Sequence, residues 1–340
     1  MHMADALVSP SVAGAMYVCS AAAAVYSVKK VREKNEPEKI PVMGVMGAFI
    51  FAAQMINFTI PGTGSSGHLC GGMMLAAVLG PEAGFLTMVG ILLIQCLLFA
   101  DGGLLALGAN IWNMAFYGCF IGGMILWRYV MKNGMSKKKI ALASVLGCVL
   151  TLQLGAISVT LETLASGITE LPFAVFAAVM QPIHLVIGLV EGLITSAVLI
   201  FIYEVRPELL QGQRRDVETS GRFSLKGTVG ILASAALVMG GLFSLAASSY
   251  PDGLEWSMEK TAGSAELSAA GGIYDIVSDI QNFTSILPDY AFKGSESAVG
   301  TSFSGLIGAA AVMALCIACC LILRLFRKKR RKESAKLHHE

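Results

Sequence analysis

Charge is scarce in this chain. Asp, Glu, Lys and Arg make up 14% of its 340 residues, whereas a soluble globular chain carries about a quarter. With 55% hydrophobic residues and a mean hydropathy of +0.68, that shortage excludes an ordinary soluble domain. No G-x-x-x-x-G-K-[ST] run occurs, which excludes ATP binding by a Walker A loop. No basic run precedes the first apolar stretch, so a signal peptide is not expected. The formal net charge of +2 indicates no basic surface for nucleic acid. Cysteine is absent from the long polar segment Ser248–Ser302. The eight cysteines present (Cys19, Cys70, Cys96, Cys119, Cys148, Cys316, Cys319 and Cys320) lie in or beside apolar runs, so no disulfide framework is expected. Cys316 and Cys319 have C-x-x-C spacing but sit among Ala, Leu and Ile, and read as packing residues.

What the chain has instead is apolar length. Nine apolar spans run roughly Pro10–Val28, Ile40–Phe58, Leu69–Gly80, Ala83–Ala100, Leu104–Trp127, Ile140–Leu161, Phe173–Tyr203, Thr228–Ala247 and Phe303–Leu325. A bilayer-crossing helix needs about 20 residues, so this is an integral membrane protein of all-α class, a polytopic helical bundle. The third span is short for a crossing. The seventh is long enough to tilt or to extend past the bilayer.

Basic residues orient the bundle. They follow span one (Lys29, Lys30, Arg32, Lys34, Lys39), span five (Arg128, Lys132, Lys137, Lys138, Lys139), span seven (Arg206, Arg214, Arg215, Arg222, Lys226) and span nine (Arg324, Arg327, Lys328, Lys329, Arg330, Arg331, Lys332, Lys336). Nine crossings put all four groups on one side, which the positive-inside rule makes the cytoplasm. The expected location is the plasma membrane, with an external N-terminus and a cytoplasmic C-terminus. The Thr59–His68 loop then lies outside with the N-terminus. So does Ser248–Ser302, with eight acids (Asp252, Glu255, Glu259, Glu266, Asp275, Asp279, Asp289, Glu296) against Lys260 and Lys293. An acidic external loop raises the local concentration of cations. The Arg327–Lys332 run is expected to hold the last helix at anionic lipid.

The chain opens Met1-His2. A histidine at position 2 offers three nitrogens in adjacent chelate rings: the terminal amine, its own backbone amide and its imidazole. One further histidine completes a four-nitrogen plane, a geometry suited to Ni(II) and Cu(II). The expected parity puts His68 on the same face. It ends the stretch Gly62, Thr63, Gly64, Ser65, Ser66, Gly67, read as a flexible loop able to fold back over the N-terminus. Within the spans, Gln54, Asn57, Gln95, Asn110 and Asn113 read as interhelical hydrogen-bonding groups. His184 and Glu191 share a helix face and read as a functional or structural pair rather than as ligands. Asp101, at the outer end of span four, could guide cations or cap a turn.

Several ordered motifs carry a resemblance: M-H-M-A-D-A-L-V-S-P (Met1–Pro10), F-A-A-Q-M-I-N-F (Phe51–Phe58), G-T-G-S-S-G-H-L (Gly62–Leu69), L-G-P (Leu79–Pro81), F-A-D-G-G (Phe99–Gly103), L-G-A-N-I-W-N-M (Leu107–Met114) and H-L-V-I-G-L-V-E-G (His184–Gly192). Together they resemble the substrate-capturing membrane component of cobalt/nickel energy-coupling-factor (ECF) transporters, the CbiM/NikM family. From about Leu225 the chain resembles that family's small accessory component, with P-D-G-L-E at Pro251–Glu255. Ala4 and Ala6 stand where the family opening usually has proline and glycine. The resemblance implies a seven-helix substrate component over 1–204, a linker over 205–226, a two-helix PDGLE-like module over 227–325 with its external loop at 248–302, and a basic tail over 326–340. It implies a metal site at Met1, His2 and His68, with Ni2+ or Co2+ as transported ion. No catalytic residue or resident cofactor is implied. The implied partners are an ECF coupling membrane protein and ATPase subunits, with cobalamin biosynthesis as the setting if cobalt is carried. The alternative reading is a membrane metal sensor or structural scaffold that does not transport.

Overall fold

Apolar runs in a bilayer must satisfy their own backbone, and helices do so within one segment. A computed structural model describes residues 1–34, 39–169, 171–212, 224–265, 267–294 and 297–337. Glu266, Glu296 and the linker residues Arg214, Arg215 and Arg222 lie outside the described residues, as do the side chains of the basic tail from Arg324 onward. The elements run α1 (Pro10–Lys34), α2 (Lys39–Gln54), β1 (Phe58–Ile60), β2 (Ser65–Gly67), α3 (Gly72–Leu79), α4 (Pro81–Phe99), α5 (Leu107–Met131), α6 (Lys137–Ser166), α7 (Phe173–Val205), α8 (Leu225–Gly241), α9 (Gly253–Ala262), α10 (Ile273–Thr284) and α11 (Ala298–Leu337). The middle of α5, Ile111–Trp127, is wound as a wider π-helix. The chain is a multi-pass helical membrane protein.

Among the described residues six helices are long and apolar enough to cross a bilayer: α1, α4, α5, α6, α7 and the Val299–Ile322 part of α11. The apolar helices α2 and α8 are shorter, at 16 and 17 residues. The third apolar span becomes α3, only eight residues and buried along its whole length. At 1.5 Å per residue it rises about 12 Å, less than half a hydrocarbon core. Pro81 then opens α4 at the first helical position, where its missing N–H costs nothing. At 33 residues α7 exceeds what a crossing requires and carries Pro182 in its interior.

One end of the bundle is tied by polar contacts. The Lys34 ammonium donates to Glu82 at 2.7 Å. The backbone N–H of Gln211 donates to Ala77 at 2.8 Å and its side-chain amide to Val78 at 3.0 Å, closing the C-terminal end of α3. The Trp127 indole donates to the Gln211 carbonyl at 2.8 Å, and Lys137 pairs with Glu204. The other end gathers the N-terminal segment, the β1–β2 hairpin and the Asp101 turn.

The expected flexible loop is a two-stranded antiparallel hairpin, with Phe58 opposite Gly67 and Ile60 opposite Ser65. Its order has a physical cause in the C-terminal segment. Ser66 donates its backbone N–H to Pro251 at 2.8 Å and its hydroxyl to Tyr250 at 2.8 Å. The Trp256 indole donates to Thr63 at 3.1 Å, and Ser248 donates to Asn57 at 2.8 Å. The exposed strand edge and turn are thus covered by residues nearly 200 positions away. All eight cysteines are free thiols.

The last two apolar helices, α8 and α11, pack against α2 and against each other. Phe51 is fully buried at this seam, with its ring 5.5 Å from Phe99 and 6.3 Å from Tyr290. The α2 face beneath α11 is apolar, with Met43 against Cys320, Gly44 against Met313 and Ile317, and Gly47 against Val312, so lipid can replace the covering helices. A chain ending at Gly212 should therefore fold and run as a single species on size exclusion in detergent. Aggregation of that chain would show that α8 and α11 are needed to complete the bundle.

Candidate functional site

A backbone entering an apolar bundle must find partners for each N–H and C=O, and the N-terminal segment does so residue by residue. The Met3 N–H donates to Asn110 Oδ1 at 2.7 Å, and Asn110 Nδ2 returns a bond to the Met3 carbonyl at 3.1 Å. Gly103 donates its N–H to the same carbonyl at 2.9 Å. Asp5 turns inward and accepts from the Ala106 N–H at 2.9 Å. A single 3-10 turn over Asp5–Leu7 follows, and Met3, Leu7 and Val8 are fully buried. Asn113 donates to Glu162 at 2.7 Å. The sequence signals for this docking are Asn110, Asn113 and the Gly102-Gly103 pair. A Cβ on Gly103 would lie 1.9 Å from Asp5 Oδ1 and 2.4 Å from the Asp5 nitrogen, so this position admits only glycine while Asp5 is seated.

The seating delivers Met1 and His2 to His68. The Met1 amine donates to His68 Nε2 at 3.0 Å. The two imidazoles stack with centroids 5.5 Å apart and planes 19° from parallel. The Nδ1–H of His68 bonds the Leu69 carbonyl at 3.1 Å, which leaves Nε2 as the acceptor. Thus the three residues singled out by sequence meet. Among the described residues no group of three or more His, Cys, Asp or Glu side chains is arranged to hold a metal ion. The nitrogens gathered at the terminus include the Met1 amine and the His2 backbone amide beside the two imidazoles.

Sequence reasoning placed Asp252 among the acids of the polar segment and in the P-D-G-L-E motif, without assigning it a contact to the site. In the structure its carboxylate reaches the site. Asp252 Oδ2 accepts from the Met1 amine at 2.5 Å and lies 3.7 Å from His68 Nε2. Its other oxygen accepts from the Leu254 and Glu255 N–H groups at 2.8 and 3.0 Å, while Glu255 accepts from the Asp252 N–H at 3.0 Å. P-D-G-L-E is thus a capping box for α9, and the D-x-x-E spacing was the available signal. Gly253 permits the close approach: a Cβ there would lie 2.7 Å from Ile187 Cδ1 and 3.0 Å from the His184 ring.

Charge at the site is strongly coupled. Burial opposes the charge on the Met1 amine, but Asp252, with Asp101 and Glu255 farther away, outweighs it and raises the amine above its ordinary 8.0. Burial pushes His2 down to about 4; Asp101 opposes the shift, and the amine and His68 reinforce it. Burial would raise Asp252, yet the Met1 amine and His68 hold its carboxyl well below the usual range. His2 is therefore neutral at physiological pH while the amine keeps its proton against Asp252.

The remaining polar candidates divide by role. Asp101 lies 3.1 Å from His2 Nδ1 and accepts from the Tyr290 hydroxyl at 2.5 Å. His184 and Glu191 do not bond each other. His184 Nδ1 pairs with the Met180 carbonyl at 2.8 Å, and Glu191 accepts from the Cys70 and Gly71 N–H groups at 2.9 Å each. Glu191 thereby anchors the chain between His68 and α3. Gln281 donates to Gly102 at 2.7 Å, and the Tyr274 hydroxyl donates to Val8 at 3.0 Å. The C-terminal segment therefore touches the hairpin, the N-terminal segment and the Asp101 turn. A cavity of about 630 Å3 opens here, lined by His2, Asp5, His68, Asp101, Asp252 and Tyr274 among others.

Residues 2–209 match the family described as the cobalt uptake substrate-specific transmembrane region, CbiM, and residues 226–325 match the PDGLE domain. A chain of Archaeoglobus fulgidus provisionally named fused nickel transport protein NikMN is 33% identical over 93% of this chain and 96% of its own length. The fused nickel transport protein NikMN of Rhodobacter capsulatus is 27% identical over 92% of this chain and 95% of its own. The cobalt transport protein CbiM of Sorangium cellulosum is 30% identical over 53% of this chain and 81% of its own. A crystal structure of a truncated transition metal transporter superposes with a TM-score of 0.53 at 30% identity, covering 60% of this chain and 99% of that one.

The Gly103 contact yields a direct test. Gly103→Val should unseat Asp5 and release the N-terminal segment. The Met1 amine, buried in the native protein and so expected to react slowly with an amine-reactive reagent, should then label rapidly. Unchanged protection in the variant would show that the segment is held by other contacts.

Proposed function

The chain belongs to the CbiM cobalt uptake substrate-specific transmembrane family, and from that premise we propose that it captures Ni2+ or Co2+ at the external face and delivers it inward as the substrate-specific subunit of an ECF-type transporter. One observation carries the reading: the Met1 amine, His2 and His68 converge although 66 residues separate the histidines. The Met1 amine, the His2 amide nitrogen, the His2 imidazole and His68 Nε2 form the donor set. Four nitrogens in a plane suit Ni(II) on geometric grounds, and the nickel transport proteins among its relatives support that cargo. The basic groups after α1, α5 and α7 follow the bundle end opposite the site, which supports an external site and a cytoplasmic C-terminus.

Asp252 holds the Met1 amine as an ammonium, so a metal must displace a proton from the amine and another from the His2 amide. The PDGLE module thus acts on the site it covers. Its acids concentrate the dication at the 630 Å3 cavity, and Asp252 receives the charge until metal replaces it. A chain with no ATP-binding loop draws its energy from partner ATPases through a coupling membrane protein. Tyr290 and Gln281 tie the same module to Asp101 and Gly102, so a stop at Gly212 should abolish most uptake of labelled metal in cells that supply the partner subunits. Full uptake by the truncated chain would show that the module is dispensable.

Two further outcomes are expected. An added residue ahead of Met1, giving Gly-Met-His, moves the imidazole to position 3 and replaces the amine by an amide. Nickel affinity of the purified protein should collapse, and unchanged affinity would rule out the terminal chelate. The pH dependence has a defined sign. Because the metal-free amine titrates above 8.0, affinity should still climb between pH 8 and 9, by about tenfold per displaced proton per pH unit. His2, at about 4, adds proton competition only in acid. An affinity flat from pH 5.5 to 8, measured by chelator competition, would point to a carboxylate site instead.

A further inference from the structure

Two glutamines, 95% or more buried, link the site to the backbone of the opposite loop. Gln54 Nε2 donates to the Cys70 carbonyl at 2.8 Å. That contact fixes the Gln54 amide, because the carbonyl can only accept. Gln54 Oε1 therefore faces Gln95 and accepts from its Nε2 at 2.9 Å. The only group left on Gln95 is Oε1, and it lies 3.2 Å from His2 Nε2. An acceptor there requires the ring proton to be on Nε2.

A metal ion at His2 Nδ1 takes that nitrogen's lone pair, so the ring proton of the coordinated imidazole sits on Nε2. Gln95 Oε1, oriented through Gln54 by the Cys70 carbonyl, is the acceptor that this proton requires. Nδ1 faces Asp101 Oδ1 3.1 Å away, and the negative charge of Asp101 favours a cation there. The Tyr290 hydroxyl holds Asp101 in place from the other oxygen.

We propose that Gln95, oriented by Gln54, is a positioning residue that accepts the Nε2 proton of His2 and presents the Nδ1 lone pair to the metal cargo. The inference rests on His2 being a metal ligand, as argued above. It assigns the two amides a role beyond interhelical glue: they select the tautomer and the ring angle that the chelate needs. Partners of this kind typically change metal affinity by about 10- to 100-fold when removed.

The test uses the full-length chain purified in detergent with a free N-terminus, and Ni2+ as the probe. Affinity is read by chelator competition, and coordination by the visible absorption band of the nickel-loaded protein. Gln95→Met keeps the side-chain volume and removes the acceptor. It should lose about 10- to 100-fold in affinity and shift the nickel band. Gln95→Glu, as the neutral acid that burial favours, keeps a donor toward Gln54 Oε1 and an acceptor toward His2 Nε2, and should recover most of the affinity and the native band. Gln54→Met leaves Gln95 in place but frees it to turn, so it should weaken binding in the same direction, and it serves if Gln95→Met does not fold. Native affinity and band in both Met variants would overturn the proposal. So would a Gln95→Glu variant as weak as Gln95→Met, since packing would then explain the loss. His2→Ala separates the two levels. If it binds nickel as the native chain does, the ligand reading itself fails. If it abolishes binding while the glutamine variants do not alter it, only the positioning role fails.

Discussion

A chain terminus carries a charged amine, and burying it in an apolar bundle demands a partner for that charge. The architecture around Met1 follows from this constraint. Asp252 supplies the carboxylate at 2.5 Å and His68 the second acceptor at 3.0 Å. Neither could reach the amine unless the nine residues ahead of α1 were threaded inward, which requires Asn110 to take both polar groups of Met3 and Asp5 to meet the Ala106 N–H. The terminus is held like an inserted ligand, by a set of partners drawn from α5, the Asp101 turn and the hairpin.

The C-terminal module extends the same logic. Its two apolar helices pack against α2, and its contacts to the N-terminal site lie in the segment between them. Pro251 and Tyr250 cover the edge of the hairpin that ends at His68, Tyr290 fixes Asp101, and Asp252 caps α9 with one oxygen while meeting the Met1 amine with the other. Met1, His68 and Asp101 therefore each have one contact from the first 209 residues and one from the module. Fusing the two in one chain keeps the carboxylate at high effective concentration beside the amine.

Much of the proposed site was legible because Met1-His2 places three nitrogens on nearly consecutive atoms, and because the expected parity of apolar spans put His68 on the same face. The motif resemblance supplied the pairing of the two histidines. Asp252 was less legible. Its D-x-x-E spacing signals a helix cap, but nothing local says that the second carboxylate oxygen meets an amine 251 residues earlier. Likewise the Gly62–Gly67 run reads as flexible when taken alone. It is a strand pair because Pro251 and Trp256 satisfy its edge and turn.

Helix formation, membrane residence and the clustering of basic residues follow from the sequence by itself, since burying a backbone in hydrocarbon leaves few alternatives to the helix and since the hydropathy pattern is local. The presence of buried amides at Gln54, Gln95, Asn110 and Asn113 was equally plain. What each amide bonds was decided by tertiary structure. His184 and Glu191 share a helix face, yet each found a backbone partner rather than the other: His184 meets the Met180 carbonyl one turn back, and Glu191 meets the N–H groups of Cys70 and Gly71 ahead of α3. The third apolar span shortened to α3 because its ends were claimed by Glu191 and Gln211. Pattern fixes which groups must be satisfied, and only the packed chain decides which partner arrives within hydrogen-bond reach.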